Sequence, residues 1–119
     1  MSNPTDSLEI LLKPDGAMAV ALVDANSGMI LGQIGSGIDL ELAAAGNTEV
    51  VRAKIRTIET LHLEDEIEDM LITLGRQYHI IRLSEKYEGV FIYYVLDKSK
   101  ANLALARRKL QEVENSLII

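Results

Sequence analysis

The side chains that could do chemistry are few, and they match no catalytic pattern. The chain has two histidines, His62 and His79, and no cysteine. His79 stands in a strand-like run beside Tyr78 and Arg82, which favours a packed or hydrogen-bonded strand residue over a base or a metal ligand. No G-x-S-x-G sequence supplies a serine nucleophile, and the lack of cysteine excludes thiolate sites. We therefore expect no catalytic residue.

Three glycines stand where a phosphate-binding loop would be expected. Gly32, Gly35 and Gly37 lie between a strand-like run and a helical pattern. No Lys-Ser or Lys-Thr pair follows them, and their spacing fits neither a P-loop nor a dinucleotide fingerprint. This stretch is interpreted as a connector, and no cofactor is expected.

A run of acidic residues could in principle bind a cation. It consists of Glu64, Asp65, Glu66, Glu68 and Asp69. Calcium binding needs a loop that wraps its oxygens around the ion, whereas half of this run falls in a predicted strand, where alternate side chains diverge. A solvated strand edge that discourages unwanted sheet pairing is the better interpretation, so no metal is expected.

The composition fits one acidic domain spanning residues 1–119, with residues 1–6 as a flexible tail. The formal net charge of -6 argues against a nucleic-acid partner, because such binding relies on neutralising phosphates. No run of 18 apolar residues occurs, so direct membrane insertion is not expected. The polar start MSNPTDS lacks the features of a signal peptide, which predicts a cytoplasmic protein.

The longest helical pattern runs from Asp39 to Leu61, with Asp39 placed to cap it. Its apolar residues recur at helical spacing: Leu40, Ala43, Ala44, Val50, Val51, Ile55, Ile58 and Leu61. The other side collects charged residues, among them Glu49, Arg52, Arg56 and Glu59. Gly46 costs about 1 kcal/mol relative to alanine within a helix. Together with the alanines before it, Gly46 would let a second helix approach closely.

Five strands are predicted around this helix, at residues 17–24, 29–34, 66–74, 78–83 and 90–96. Residues 7–12 are interpreted as a short helix, with a strand as the alternative. The last helix carries an apolar stripe and is expected to be capped by Asp97 or Ser99: Leu103, Ala106, Leu110, Val113 and Leu117. In the first strand, alternation places Ala17, Ala19, Ala21 and Val23 on one face and Met18, Val20 and Leu22 on the other. The fold class is therefore α+β, with an antiparallel sheet.

The number of helices is too small to cover this sheet. A helix is about 10–12 Å across, whereas five strands lie about 4.8 Å apart. If each helix takes its own face, the face under residues 39–61 remains underfilled. A second copy of the chain would fill it, which predicts a homodimer.

Four segments of the sequence resemble the roadblock family, also called the dynein light chain roadblock domain. They are ALVDANSGMILG, LAAAGNTEVVRAK, EDMLITLGRQYHIIRL and FIYYVLDKSKANLALAR, and the likeness extends from Ala17 to Glu112. The resemblance implies a five-stranded antiparallel sheet with the long helix on one face and the terminal helices on the other, a profilin-like layering. It also implies a homodimer in which third strands pair and long helices lie antiparallel. The N-terminal helix looks shorter here than is usual in the family.

The resemblance also implies a function. Family members are mostly regulators or scaffolds rather than enzymes, and bacterial ones are often partners of small Ras-like GTPases, some of them activating hydrolysis. On this sequence the implied dimer interface comprises Ala43, Ala44, Gly46, Asn47, Val50, Val51, Lys54, Glu68, Met70 and Ile72. For the partner, we expect a platform of Glu49, Arg52, Arg56 and Glu59, although an ordinary solvated helix face would look the same.

A second function class stays open at this point. Mixed α/β sheets of this size can enclose a pocket, and a small-molecule sensor module would use one. Its lining would include Met18, Tyr93 and Tyr94.

Overall fold

Three helices and five strands make up the fold of residues 4–119, the part of the chain that the computed structural model describes. In chain order the elements are α1 (Pro4–Glu9) with a 3-10 turn (Ile10–Leu12), β1 (Ala17–Asp24), β2 (Met29–Gly35), α2 (Leu40–Thr60), β3 (Asp69–Thr73), β4 (Gln77–Leu83), β5 (Val90–Asp97) and α3 (Leu103–Ser116). The predicted order of elements is confirmed.

The strands form one antiparallel sheet in the order β2-β1-β5-β4-β3. β5 is the central strand, and six of its eight residues are β-branched or aromatic, as expected of a strand covered on both faces. β2 and β3 are the two edges. β2 was expected at an edge, because Gly32 and Gln33 add little apolar packing to a strand.

The two faces of the sheet carry separate apolar cores. On one face α1 and α3 pack over a cluster that includes Leu8, Leu11, Ile80, Tyr94 and Leu110. On the other face α2 packs over a cluster of eleven buried residues: Ala19, Ala21, Val23, Ala25, Leu40, Ala44, Val51, Ile81, Phe91, Tyr93 and Val95. The long helix and the terminal helices therefore lie on opposite faces, and the predicted fold class is confirmed.

The first strand departs from simple alternation at its start. Its register against β5 shifts between Ala17 and Ala19, so an extra residue is accommodated there. As a result Met18 packs on the α2 face and Ala17 on the other face, the reverse of the predicted assignment. Gly35 lies beside this irregularity with φ of 96°, and a Cβ on it would collide with the Met18 carbonyl oxygen.

At the helix ends, the predicted cap of α2 is confirmed, whereas the predicted cap of α3 and the predicted start of α1 are corrected. The Asp39 carboxylate accepts a hydrogen bond from Leu42 N at 3.1 Å, as predicted. α3 is instead capped by Asn102, because Asp97 is occupied in the preceding turn, where it accepts from the Ser99 amide and hydroxyl. The prediction of a tail over residues 1–6 is wrong for residues 4–6, since Pro4 begins α1, where a proline loses no helical hydrogen bond. Residues 1–3 lie outside the described part.

The third strand is shorter than predicted, Asp69–Thr73 rather than residues 66–74. Asp69 pairs with Arg82, and β4 ends one residue later at Leu83, so residues 66 and 67 have no strand beside them. The Glu68 carbonyl makes the last contact, accepting from Leu83 N at 3.1 Å. Most of the acidic run is therefore loop.

Candidate interaction surface

The long helix covers only part of its face of the sheet. α2 makes its main contacts with β1 and β2 at one side of the sheet. On the same face, Met70 of β3 is half-buried and Ile72 is 36% exposed. β3 is also an edge strand, so backbone groups along its outer side face away from the sheet. The underfilled face expected from the sequence is present at β3 and the adjoining part of β4.

One exposed flank of α2 is apolar. The helix buries Leu40, Ala44, Thr48 and Val51 against the sheet. At 100° per residue the flank on the side of Asn47 carries mostly small and apolar residues that are at least partly exposed, with Lys54 and Thr57 among them: Ala43, Gly46, Val50, Ala53 and Leu61. Val50 is 43% exposed, and nothing lies within 4 Å of a Cβ placed on Gly46. This apolar flank and the exposed side of β3 lie on the same face of the sheet, and we call the two together the α2–β3 surface.

The residues predicted for the dimer interface divide into two groups. Ala44 and Val51 are each 1% exposed, because they pack into the chain's own core, and they offer a partner no surface. The remaining predicted residues keep at least part of their surface: Ala43, Gly46, Asn47, Val50, Lys54, Glu68, Met70 and Ile72. The sequence pattern could not separate the two groups: Val50 and Val51 are adjacent and equally apolar, yet Val50 is exposed and Val51 is buried.

The opposite flank of α2 is charged, and it carries Glu49, Arg52, Arg56 and Glu59, all exposed. Among residues 4–119 neither Glu49–Arg52 nor Arg56–Glu59 forms an ion pair. The Arg52 guanidinium instead donates to two carbonyls of the β1–β2 turn, to Ala25 O at 2.7 Å and to Asn26 O at 2.6 Å. The structure thus gives Arg52 a role inside the chain, which sequence reasoning did not find.

Arg52→Ala is expected to lower the free energy of unfolding by about 1 kcal/mol, because two hydrogen bonds from a charged donor are lost. Faster amide hydrogen exchange should follow at residues 25–28. Arg56→Ala is the matched control on the same flank and should change stability by less than about 0.5 kcal/mol. Equal effects of both substitutions on exchange in the turn would contradict the anchoring role.

A chain of polar side chains crosses the sheet under α2. The Tyr93 hydroxyl lies 2.9 Å from His79 Nδ1, and His79 Nε2 lies 2.8 Å from Gln77 Oε1. Gln77 Nε2 donates to the Met18 sulfur at 3.8 Å. A neutral His79 with its proton on Nε2 satisfies both of its neighbours. The predicted role of His79 as a hydrogen-bonded strand residue is therefore confirmed.

The burial of His79 predicts a dependence of stability on pH. Desolvation lowers the pKa of His79 below its ordinary value of 6.5, so the folded state takes up a proton less readily than the unfolded chain. The contribution of neutral His79 is complete above pH 6.5 and declines as the pH falls below that value. Urea unfolding of the wild type should show this decline between about pH 7 and 5.5, and His79→Gln should reduce its slope. An unchanged slope in the variant would contradict the assignment.

Met18, Tyr93 and Tyr94, the residues predicted to line a sensor pocket, do not line one pocket. Tyr93 and Tyr94 belong to the two different cores, since they point to opposite faces of β5. The Tyr94 hydroxyl donates to the Leu11 carbonyl at 2.6 Å, and burial raises the pKa of Tyr94 to about 12. Met18 does line a cleft, of about 670 Å³, but at the surface beside Arg76 and Lys98, where neither tyrosine reaches.

Within residues 4–119 no group of three or more His, Cys, Asp or Glu side chains is placed to hold a metal ion. No helix in the same range is long and apolar enough to cross a bilayer. Gly35 and Gly37 both have positive φ in the β2–α2 connection, which suits the interpretation of this stretch as a connector.

The arrangement is an α+β sandwich whose one antiparallel sheet has helices on both faces, and known structures share it. The chain superposes on a Roadblock/LC7 domain from Streptomyces avermitilis with a TM-score of 0.82 at 9% identity, covering 97% of this chain and 94% of that one. It superposes on the gliding protein MglB from Thermus thermophilus with a TM-score of 0.81 at 17% identity, covering 98% and 90%. The chain therefore has the Roadblock/LC7 fold.

Other solved structures with this fold are also similar. MglB from Myxococcus xanthus superposes with a TM-score of 0.76 at 18% identity, covering 94% of this chain and 79% of that one. No protein-family model and no curated protein matches the sequence. At these identities the likeness establishes the fold.

Proposed function

We propose that this protein is a homodimeric, non-enzymatic regulator or scaffold that binds a small Ras-like GTPase. The dimer is inferred from the α2–β3 surface, where apolar residues of a helix and of an edge strand are exposed on the same face of the sheet. The Roadblock/LC7 fold and the resemblance of the sequence to GTPase-associated bacterial members support the choice of partner.

The dimer would use the α2–β3 surface in two ways. Antiparallel pairing of two β3 strands would satisfy the unpaired backbone groups of both edges and extend the sheet across both chains. Antiparallel packing of two α2 helices would bury the flank that contains Val50, with Gly46 allowing the backbones to approach. Self-association also occurs among proteins of this fold, since one MglB structure is described as a tetrameric arrangement.

The charged flank of α2 would present the GTPase-binding platform, repeated by the two-fold axis of the dimer. Glu49, Arg56 and Glu59 would contribute exposed charge, whereas Arg52 is committed to the β1–β2 turn. Charges in such positions act mainly on the association rate and on the choice of partner. The protein would therefore act by positioning the GTPase's own groups rather than by supplying a catalytic residue.

The test is binding to the small GTPase encoded nearest in the genome, loaded in turn with GDP and with a non-hydrolysable GTP analogue. We expect binding that depends on the bound nucleotide, weakened about tenfold (about 1.4 kcal/mol) by the double charge reversal Glu49→Lys and Arg56→Glu. Glu9→Lys with Lys13→Glu is the matched control, an exposed pair of reversals away from α2. Absence of binding, or equal binding of both nucleotide states, would overturn the GTPase proposal while leaving the dimer untouched.

A further inference from the structure

A groove opens where the last turns of α2 pass over the end of the sheet. Its walls are α2, the loop before β3 and the loop that joins β4 to β5, and its volume is about 520 Å³. The floor is apolar and consists of Ile55, Ile58, Ile67 and Leu83. This volume lies within the range of roughly 300–1,000 Å³ that is typical of ligand sites. The groove is therefore large enough to receive several side chains of a partner.

Carboxylates surround this apolar floor. They come from all three walls: Glu59, Asp65, Glu66, Glu68, Glu85 and Glu88. Of the ion pairs formed within residues 4–119, none includes one of these six. The one cation in the lining, Arg82, is already paired with Glu114 of α3 at 3.1 Å, on the other face of the sheet. The groove thus carries a large negative charge that the described chain does not compensate.

The spacing of these carboxylates selects the kind of ligand. They are distributed around the rim, and no three acidic or histidine side chains among the described residues converge on one point as metal binding requires. A matching ligand must carry several separated positive charges together with apolar groups for the isoleucine floor. Lysine and arginine side chains combine the two, because their methylene stems cover apolar surface while their charged ends stay at the rim.

We propose that this groove is a docking site for a basic peptide segment of a partner protein. Lysine and arginine stems of the segment lie on Ile55, Ile58 and Ile67, and their charged ends meet the carboxylates of the rim. Glu85 and Glu88 belong neither to the α2–β3 surface nor to the charged flank of α2. The groove shares Glu59 with the charged flank and Glu68 with the predicted dimer interface, so Glu85 and Glu88 are the positions that test the groove separately from those contacts.

The experiment measures binding of a fluorescein-labelled basic peptide, GKRLKKLKRG, by fluorescence anisotropy at about 0.1 M salt, where separated surface charges are largely screened. The double variant Glu85→Lys and Glu88→Lys should weaken binding by at least about tenfold. Glu9→Lys with Asp15→Lys is the matched control: both residues are exposed, lie outside the groove and give the same change of net charge. This control should weaken binding by less than about twofold, since screening limits distant charges.

Three results would overturn the docking proposal. The first is failure of the wild-type protein to bind the basic peptide better than the acidic peptide GEELEELEEG. The second is an equal loss of binding in both double variants, which would show general charge attraction. The third is binding of spermine as tight as that of the peptide and equally dependent on Glu85 and Glu88, which would show a polyamine site. The molar mass of the Glu85→Lys, Glu88→Lys variant, measured in parallel, reports separately on the dimer.

Discussion

Glu114→Ala is expected to lower the free energy of unfolding by about 3–5 kcal/mol, the largest effect on stability among the substitutions considered. The Glu114 side chain is 2% exposed and the Arg82 side chain 10% exposed, and their contact joins α3 to β4. Removing the carboxylate leaves a guanidinium buried without its counter-charge, and that is costly because the charge cannot return to water without opening the α3–sheet contact. Glu114 Oε2 also accepts from the Glu85 amide at 3.4 Å, so the β4–β5 loop loses an anchor too.

The control for this prediction lies on the same helix. Glu112 is 58% exposed in its side chain and pairs with Lys109 at 3.3 Å, so Glu112→Ala removes an ion pair at the surface. Such pairs contribute about 0–1 kcal/mol. Urea unfolding of both variants measures the difference. The double variant Arg82→Met with Glu114→Leu should recover most of the loss, because no unpaired charge remains. Equal costs for the two alanine variants would contradict the buried pair's role.

Val50→Glu is expected to dissociate the dimer, raising its dissociation constant by at least about 100-fold, or about 2.7 kcal/mol. Val50 is 43% exposed in the single chain and lies at the middle of the apolar flank of α2. In an antiparallel helix pair the two substituted carboxylates would lie close to the two-fold axis, where both would lose water and repel each other. The folded monomer should persist, since the new side chain can remain in water there.

Ala45→Glu separates this effect from a change in helix stability. Ala45 is also exposed in α2, but on the charged flank, about 140° around the helix axis from Val50. Sedimentation velocity across a concentration series should show a dimer for Ala45→Glu and a monomer for Val50→Glu, with similar circular dichroism for both. A Val50→Glu protein that remains as dimeric as the control would place the interface elsewhere.

Most of the fold could be predicted from local patterns. The period of the apolar residues defined α2, and its Asp39 cap was found because a capping carboxylate acts within three residues. The apolar residues on both faces of β5 identified the central strand. The irregular start of β1 could not be found, because both of its alternating sets are apolar and a shift by one residue leaves the pattern unchanged.

The interaction surfaces were less predictable, because they depend on contacts between distant segments. Arg52 looked like a solvated residue until the β1–β2 turn, 26 and 27 residues away in the chain, was placed beside it. The acidic groove joins residues near Glu66 to residues near Glu88, and only the β4 connection brings the two stretches together. The sequence did indicate that two helices are too few to cover both faces of a five-stranded sheet, because this follows from the number of predicted helices and strands.

The central claim is that the α2–β3 surface joins two copies of this chain. Light scattering coupled to size-exclusion chromatography tests this claim most directly. The chain concentrations are about ten and about one hundred times the micromolar dissociation constant expected for such an interface. The account predicts an average molar mass that approaches twice the chain mass of 13.1 kDa at the higher concentration. A molar mass that stays at 13.1 kDa across this range would contradict it.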